Sequence, residues 1–234
     1  MTRNLIAAAV IVAALALSGC TDSAPEPVVT TPTHPPAADG DGRLMIGTLM
    51  DSADPAALVQ VAGVELAIRD IHDAGGVLGE PVTVFHRTAH TGDEAMAALT
   101  ELVALGVDAV VTPPGTEWAE QFRASAAEQG IAVVAAPESA AAGDEGFAAR
   151  IRTMDPALMS VSLEDAVAGS QSYDAVVVAA LTAVQRGNDS GDAIGQAAAD
   201  ITGGPAVCGS FAECIHVLGE RPDIGYQPGP ARNG

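Results

Sequence analysis

Four short, nearly unbroken apolar runs, each separated from the next by a stretch of helical spacing, constrain this chain more than any other feature. The runs are Arg43–Met50, Pro81–His86, Val107–Val111 and Ile131–Ala136. After the first, Leu58, Val61, Val64, Ile68 and Ile71 recur at the three- and four-residue intervals of an amphipathic helix. Asp54 is placed to cap that helix, with Pro55 at its first position. Asp93 is expected to cap a second helix carrying Ala95, Leu99, Leu102 and Val103, ending at Gly106. A third, Glu117–Gln129, stops at Gly130. Strands buried on both faces read as continuous apolar runs, and a strand–helix alternation requires a parallel sheet with helices on both sides. The expected fold is therefore α/β, a three-layer, Rossmann-like parallel sheet. Ligands in such folds collect at the carboxyl ends of the strands, here Met50–Pro55, His86–Gly92, Thr112–Thr116 and Ala136–Ala140.

The stretch before the first run has another character. Arg3 precedes an apolar run from Leu5 to Leu17, which ends in Leu17-Ser18-Gly19-Cys20. That run is too short to cross ~30 Å of hydrocarbon as a helix and suits a signal peptide. The tetrapeptide resembles the lipobox of bacterial lipoproteins, which implies residues 1–19 as signal peptide and a lipid on Cys20 as the membrane anchor. An ordinary signal peptide that carries a Cys is the alternative. Residues 20–42, rich in Pro, Thr, Ala and Asp, have no apolar period and read as a tether. An exported chain meets an oxidising compartment, so the two remaining cysteines, Cys208 and Cys214, read as one disulfide, contributing about 2 kcal/mol. A metal site is the alternative, with no His or second Cys pair nearby at ligand spacing.

The C-terminal part is expected to be helical, with helices at Ser172–Arg186 and Asp192–Ile201, then the cysteine pair, a helical run to Leu218 and a Gly/Pro tail. Between the two parts, Arg150–Met154 is expected as a short edge strand and Pro156–Val167 as a helix.

The formal charge of −20, with ten Arg and no Lys as the basic residues, argues against nucleic acid and anionic lipid as partners. Aromatic residues make up 3% of the chain, so the core must be built from Ala, Val, Leu and Ile. No Gly-x-Ser-x-Gly elbow, Gly-x-Gly-x-x-Gly turn or P-loop follows any strand. Ser210 has only His216, six residues on, as a basic neighbour. An enzyme, a cofactor and a metal are thus not expected. His72, His86 and His90 suggest metal by type, but the first two lie at opposite ends of a turn and strand.

Several runs together resemble the first lobe of branched-chain amino-acid-type solute-binding proteins of ABC transporters, the type I periplasmic binding proteins. They are Ile46-Gly47-Thr48-Leu49, Gly63-Val64-Glu65-Leu66-Ala67, Asp73-Ala74-Gly75-Gly76-Val77-Leu78-Gly79 with Pro81-Val82, and Gly106 to Val111 with the turn Thr112-Pro113-Pro114-Gly115-Thr116. Ile151-Arg152-Thr153-Met154-Asp155 is similar to the family's crossing segment, and Ser172-Tyr173-Asp174-Ala175-Val176 to its late helix. Cys208 to Cys214, with Asp223-Ile224-Gly225-Tyr226, is similar to its C-terminal part.

The resemblance implies an α/β lobe over residues 43–156, completed by a helical part over 157–234 that packs back on it. Between Asp155 and Tyr173 the chain has about seventeen residues where the family places most of a second lobe, so one lobe is implied. The implied role is capture of a small amino-acid-like or amide solute outside the membrane for an ABC permease. Ligand contacts would fall on Gly115 and Thr116 after strand three, Trp118, and Glu138 and Ser139 after strand four. The plain readings are helix caps for Thr116 and Ser139 and packing for Trp118. Glu138 would repel an α-carboxylate and attract an amine. A one-lobed relative acting as a surface interaction or sensor protein is the alternative function. A homodimer, one copy replacing the missing lobe of the other, is a further expectation.

Overall fold

The computed structural model describes residues 40–113, 119–135 and 145–227. The alternation expected from the sequence is present. Strand β1 (Met45–Asp51) leads through helix α1 (Ala57–Asp73) to β2 (Thr83–Ala89), and α2 (Gly92–Leu105) leads to β3 (Ala109–Thr112). Helix α3 (Ala119–Glu128) precedes β4 (Ala132–Ala135). The four strands form one parallel sheet in the order β2-β1-β3-β4, with Thr48 opposite both His86 and Val111. The chain steps from β1 to β2 on one side and then to β3 on the other, so the strand order reverses at β1.

That reversal divides the helices between the two faces. Ile46, Met50, Val111 and Val134 pack with α1, while Leu49, Val110, Leu99, Leu102 and Phe122 form a separate cluster under α2 and α3.

The rest of the chain adds to the α1 face. Helix α4 (Glu145–Met154) and a 3₁₀ turn (Pro156–Leu158) lead to α5 (Leu163–Arg186), whose Val176, Ala179 and Ala180 join the same core as α1. Helix α6 (Gly191–Ala197) and a second 3₁₀ turn (Asp200–Thr202) follow. A small parallel pair, β5 (Ala206–Cys208) and β6 (Ile224–Tyr226), brackets α7 (Phe211–Leu218). Cys208 and Cys214 form a disulfide between β5 and α7.

Several local expectations change. Arg150–Met154 is helical, not an edge strand, because Phe147, Ala148 and Ile151 bury one helical face. The helix expected over Pro156–Val167 is broken. Asp155 caps only the 3₁₀ turn, accepting the Ala157 N–H at 2.7 Å, and Ser162 with Asp165 then starts α5 through a reciprocal capping box. Helix α5 consequently begins nine residues before Ser172. The helix expected over Asp192–Ile201 stops at Ala197 and gives way to the second 3₁₀ turn.

Thr91, not Asp93, caps α2, with Glu94 returning the bond; the Thr-x-x-Glu spacing is in the sequence. Asp54 acts one turn before α1. Its Oδ1 accepts the Ala56 N–H at 2.8 Å, and Ala56 occupies the cap position. The β5–β6 pair was not foreseen, since three-residue strands leave too little pattern.

Candidate functional site

The carboxyl edge of the four-stranded sheet is where this fold places a ligand. Gly115, Thr116, Trp118, Glu138 and Ser139, the contacts inferred from sequence, lie outside the described residues, as does Cys20. The described part of the edge comprises the ends of the four strands and the start of α2, and its charged side chains lie at β1, at the end of β2 and on α2.

Asp51 closes β1. Its Oδ1 accepts the Ala53 N–H at 2.9 Å and lies 3.1 Å from His90 Nδ1. The His90 N–H is donated to Glu94 Oε2 at 2.7 Å. The Ala53 N–H, then the His90 bond, hold the Asp51 carboxyl below its ordinary range. The His90 and Thr91 N–H groups do the same for Glu94. Both carboxylates are therefore ionised at neutral pH, beside an exposed imidazole. This half of the edge suits a cationic or amine group and disfavours a free carboxylate.

Sequence reasoning marked the segments Met50–Pro55 and His86–Gly92 but did not single out Asp51, His90 or Glu94. The Thr91–Glu94 capping box was the available signal, because it fixes Glu94 over the end of β2.

The three histidines do not converge. His72 Nε2 lies 3.0 Å from the Val82 carbonyl oxygen, and His90 pairs with Asp51. His86 sits between Thr48 Oγ1 and Glu65 Oε1, 2.8 Å from each. Thr48 is fully buried in the middle of β1, so this chain of contacts joins the sheet to α1 and offers no nucleophile to a substrate. Among the described residues, no group of three or more His, Cys, Asp or Glu side chains is arranged to hold a metal ion.

An open depression of about 490 Å³ lies elsewhere, lined by Gln185, Asp200, Gly204, Pro222 and Asp223. Gln185 Nε2 donates across it to the Pro222 carbonyl at 2.6 Å, and Arg186 Nη2 meets Asp200 at 3.4 Å. It lies at the far end of α5, away from the strands' carboxyl ends.

The sheet order, its helices on both faces and the β1 switch point define an α/β parallel-sheet lobe consistent with a single lobe of a type I periplasmic binding protein. Among solved structures the chain is similar to the branched-chain amino acid transporter substrate-binding protein LivJ of Streptococcus pneumoniae in complex with isoleucine. The identity is 25% over 42% of this chain and 30% of that one, with a TM-score of 0.37. It is also similar to an extracellular ligand-binding receptor of Verminephrobacter eiseniae, with 17% identity over 80% of this chain and 72% of that one and a TM-score of 0.36. The chain thus spans about a third of the length of LivJ, and neither superposition transfers residue roles to it. No protein-family model and no curated protein matches the sequence.

Proposed function

We propose that this chain is a solute-binding-type lipoprotein, held outside the membrane by a lipid on Cys20, that captures a small amino-acid-like or amide solute through its amino or amide end for uptake by an ABC permease. The observation that carries the reading is the pair of ionised carboxylates, Asp51 and Glu94, fixed beside His90 at the strands' carboxyl edge. A ligand gripped by one lobe stays half exposed, so the expected affinity is modest, in the micromolar to millimolar range.

The test is thermal stability of the purified chain against a panel of amino acids, amides and simple amines at millimolar concentration. Amino- or amide-bearing solutes should raise the melting temperature, and Asp51→Asn should weaken the rise. No rise across the panel would remove solute binding and leave the surface interaction or sensor reading. Sedimentation with and without the ligand separates one-lobed binding from a cleft built by two copies. Cys20→Ala should release the chain from membranes; continued membrane attachment would refute the lipid anchor.

A further inference from the structure

At the opposite, amino edge of the sheet the fold brings three carboxyl groups together. Asp108 immediately precedes β3, and its Oδ2 accepts the Met45 N–H at 2.8 Å, which ties the start of β3 to β1. Asp189 lies in the link between α5 and α6. It is 1% exposed, and neither of its carboxyl oxygens has a hydrogen-bond partner among the described residues. Gly40 covers it: a Cβ built on Gly40 would fall 1.7 Å from Asp189 Oδ1 and 2.9 Å from Asn188 Oδ1. Asp41 follows, and its Oδ1 accepts the Arg43 N–H at 2.9 Å.

The link itself is pinned. Asn188 donates its N–H to the Ala183 carbonyl at 3.0 Å, and Asn188 Oδ1 accepts the Ser190 N–H at 2.8 Å. A Cβ on Gly191 would come within 2.1 Å of the Gly130 carbonyl oxygen and 2.5 Å of that of Asp108. The link therefore has no room to move inward, and the Gly40–Arg43 segment is the element free to part from Asp189.

We propose that this edge is a proton-operated clasp: with Asp108 neutral the Gly40–Arg43 segment stays seated on the lobe, and with Asp108 ionised the like charges of Asp41, Asp108 and Asp189 lift it. Burying a carboxylate is costly, and neighbouring carboxyl groups of like charge add repulsion. Burial first, then the charges of Asp189 and Asp41, push the Asp108 carboxyl up to about 7, against the opposing pull of the Met45 N–H. Among the described residues, Arg43 meets Asp41 through its backbone and its side chain is exposed, while the flanking helices α3 and α6 carry Glu128 and Asp192, both acidic and exposed.

The sign follows from the raised value. Seated Asp108 holds its proton to about pH 7, whereas a released Asp108 gives it up near 4. The seated state is therefore fully favoured below about pH 4, loses that advantage as pH rises to about 7, and changes no further above it.

Hydrogen exchange of the full-length chain between pH 5 and pH 8, corrected for the intrinsic pH dependence, tests the clasp. Amides of residues 40–45 and 187–191 should lose protection by up to about tenfold per pH unit between pH 5 and pH 7, while those of α1 stay constant. Asp108→Asn keeps an acceptor for Met45, so it should hold pH 5 protection at pH 8. Asp189→Asn should flatten the profile in part. The proposal is overturned if protection of the two segments is independent of pH. An unchanged slope in either variant overturns it too, and Asp189→Asn alone decides should Asp108→Asn not fold. If millimolar calcium at pH 8 restores protection as fully as acid does, the carboxylates hold a cation and the proton clasp is wrong.

Discussion

The two faces of the sheet are closed by different means. Under α2 and α3 the buried side chains that the helices contribute are all apolar, with Leu49, Leu99, Leu102, Phe122 and Ile131 filling the contact and the Arg87–Glu101 ion pair at its exposed margin. Under α1 and α5 the helices approach until their backbones touch. A Cβ on Gly63 would lie 1.9 Å from the Gly169 carbonyl oxygen, and one on Gly169 would lie 2.8 Å from that of Val59.

Polar groups, buried at Tyr173, Asp174 and Tyr226 and half-buried at Asp70 and Arg150, lie within that second contact. Tyr173 donates its hydroxyl to Asp70 Oδ2 at 2.6 Å, Arg150 on α4 meets the other oxygen of Asp70, and Tyr226 on β6 donates to Asp174 Oδ1 at 2.6 Å. Burial, then the Asp70 contact, drives the Tyr173 hydroxyl well above its ordinary range, so it remains a donor at any physiological pH. Volume fixes the first face. The second is fixed by direction as well, because each buried hydroxyl accepts only one arrangement of its neighbours. That is how one core holds α4, α5, α7 and β6 in register on α1.

The difference predicts how each face breaks. Gly63→Val should have the largest effect, about 4 kcal/mol or more, because the obstacle is backbone on a pinned helix and no rotamer avoids it. Urea unfolding would show it, and a loss under about 1 kcal/mol would mean that α1 and α5 do not cross as described. On the apolar face, Leu102→Ala should cost about 3 kcal/mol through a cavity alone. A partner substitution sharpens that reading. A Cβ on Gly47 would meet Leu102 Cδ2 at 2.9 Å and Cδ1 at 3.0 Å. Gly47→Ala should therefore destabilise the parent and be tolerated in the Leu102→Ala background, with a coupling of about 1 kcal/mol in a double-mutant cycle. Tyr226→Phe keeps the ring and removes one hydrogen bond to a fully buried carboxylate, so about 2 kcal/mol should be lost without a cavity. Equal losses for Tyr226→Phe and Tyr226→Ala would show that the hydroxyl decides; a much larger loss for Ala would return this face to volume.

The contrast also explains what the sequence disclosed. The four strands and the helices between them were legible because each is long enough to show its period against solvent and core. The Gly-rich stretch after α1 was legible too. Gly75 and Gly76 adopt positive φ, and their N–H groups reach back to the His72 and Ile71 carbonyls, closing the helix end. Arg150–Met154 misled because Arg150, Ile151 and Arg152 alternate like an edge strand, and only the Asp70 contact, 80 residues away in sequence, reveals the helix's purpose. The pairing of Tyr226 with Asp174 and the β5–β6 strands are equally invisible to local pattern, being fixed by tertiary partners. At the candidate site, the segments around Asp51 and His90 were located by the strand-end rule, but the side chains were not chosen. Their arrangement depends on an Asp51–His90 contact across 39 residues.

The smallest predicted effect belongs to a position that neither face governs. Val77 and Glu80 exchange backbone hydrogen bonds of 2.9 and 3.0 Å around Leu78 and Gly79, and both central residues have positive φ, 54° and 88°. Two positive φ values in a two-residue loop are the mark of a type I′ turn, which favours Asn-Gly and penalises a branched apolar side chain at its first position. Val77 is buried in the α1 core while Leu78 is 39% exposed, so the turn is anchored by one neighbour and strained at the next. Leu78→Asn should therefore stabilise the chain by about 0.5 kcal/mol, a rise of roughly 1–2 °C in melting temperature for a chain of this size. A fall in melting temperature would mean that the Leu78 side chain contributes packing that outweighs its backbone strain, and the α1 face would then extend to the hairpin tip.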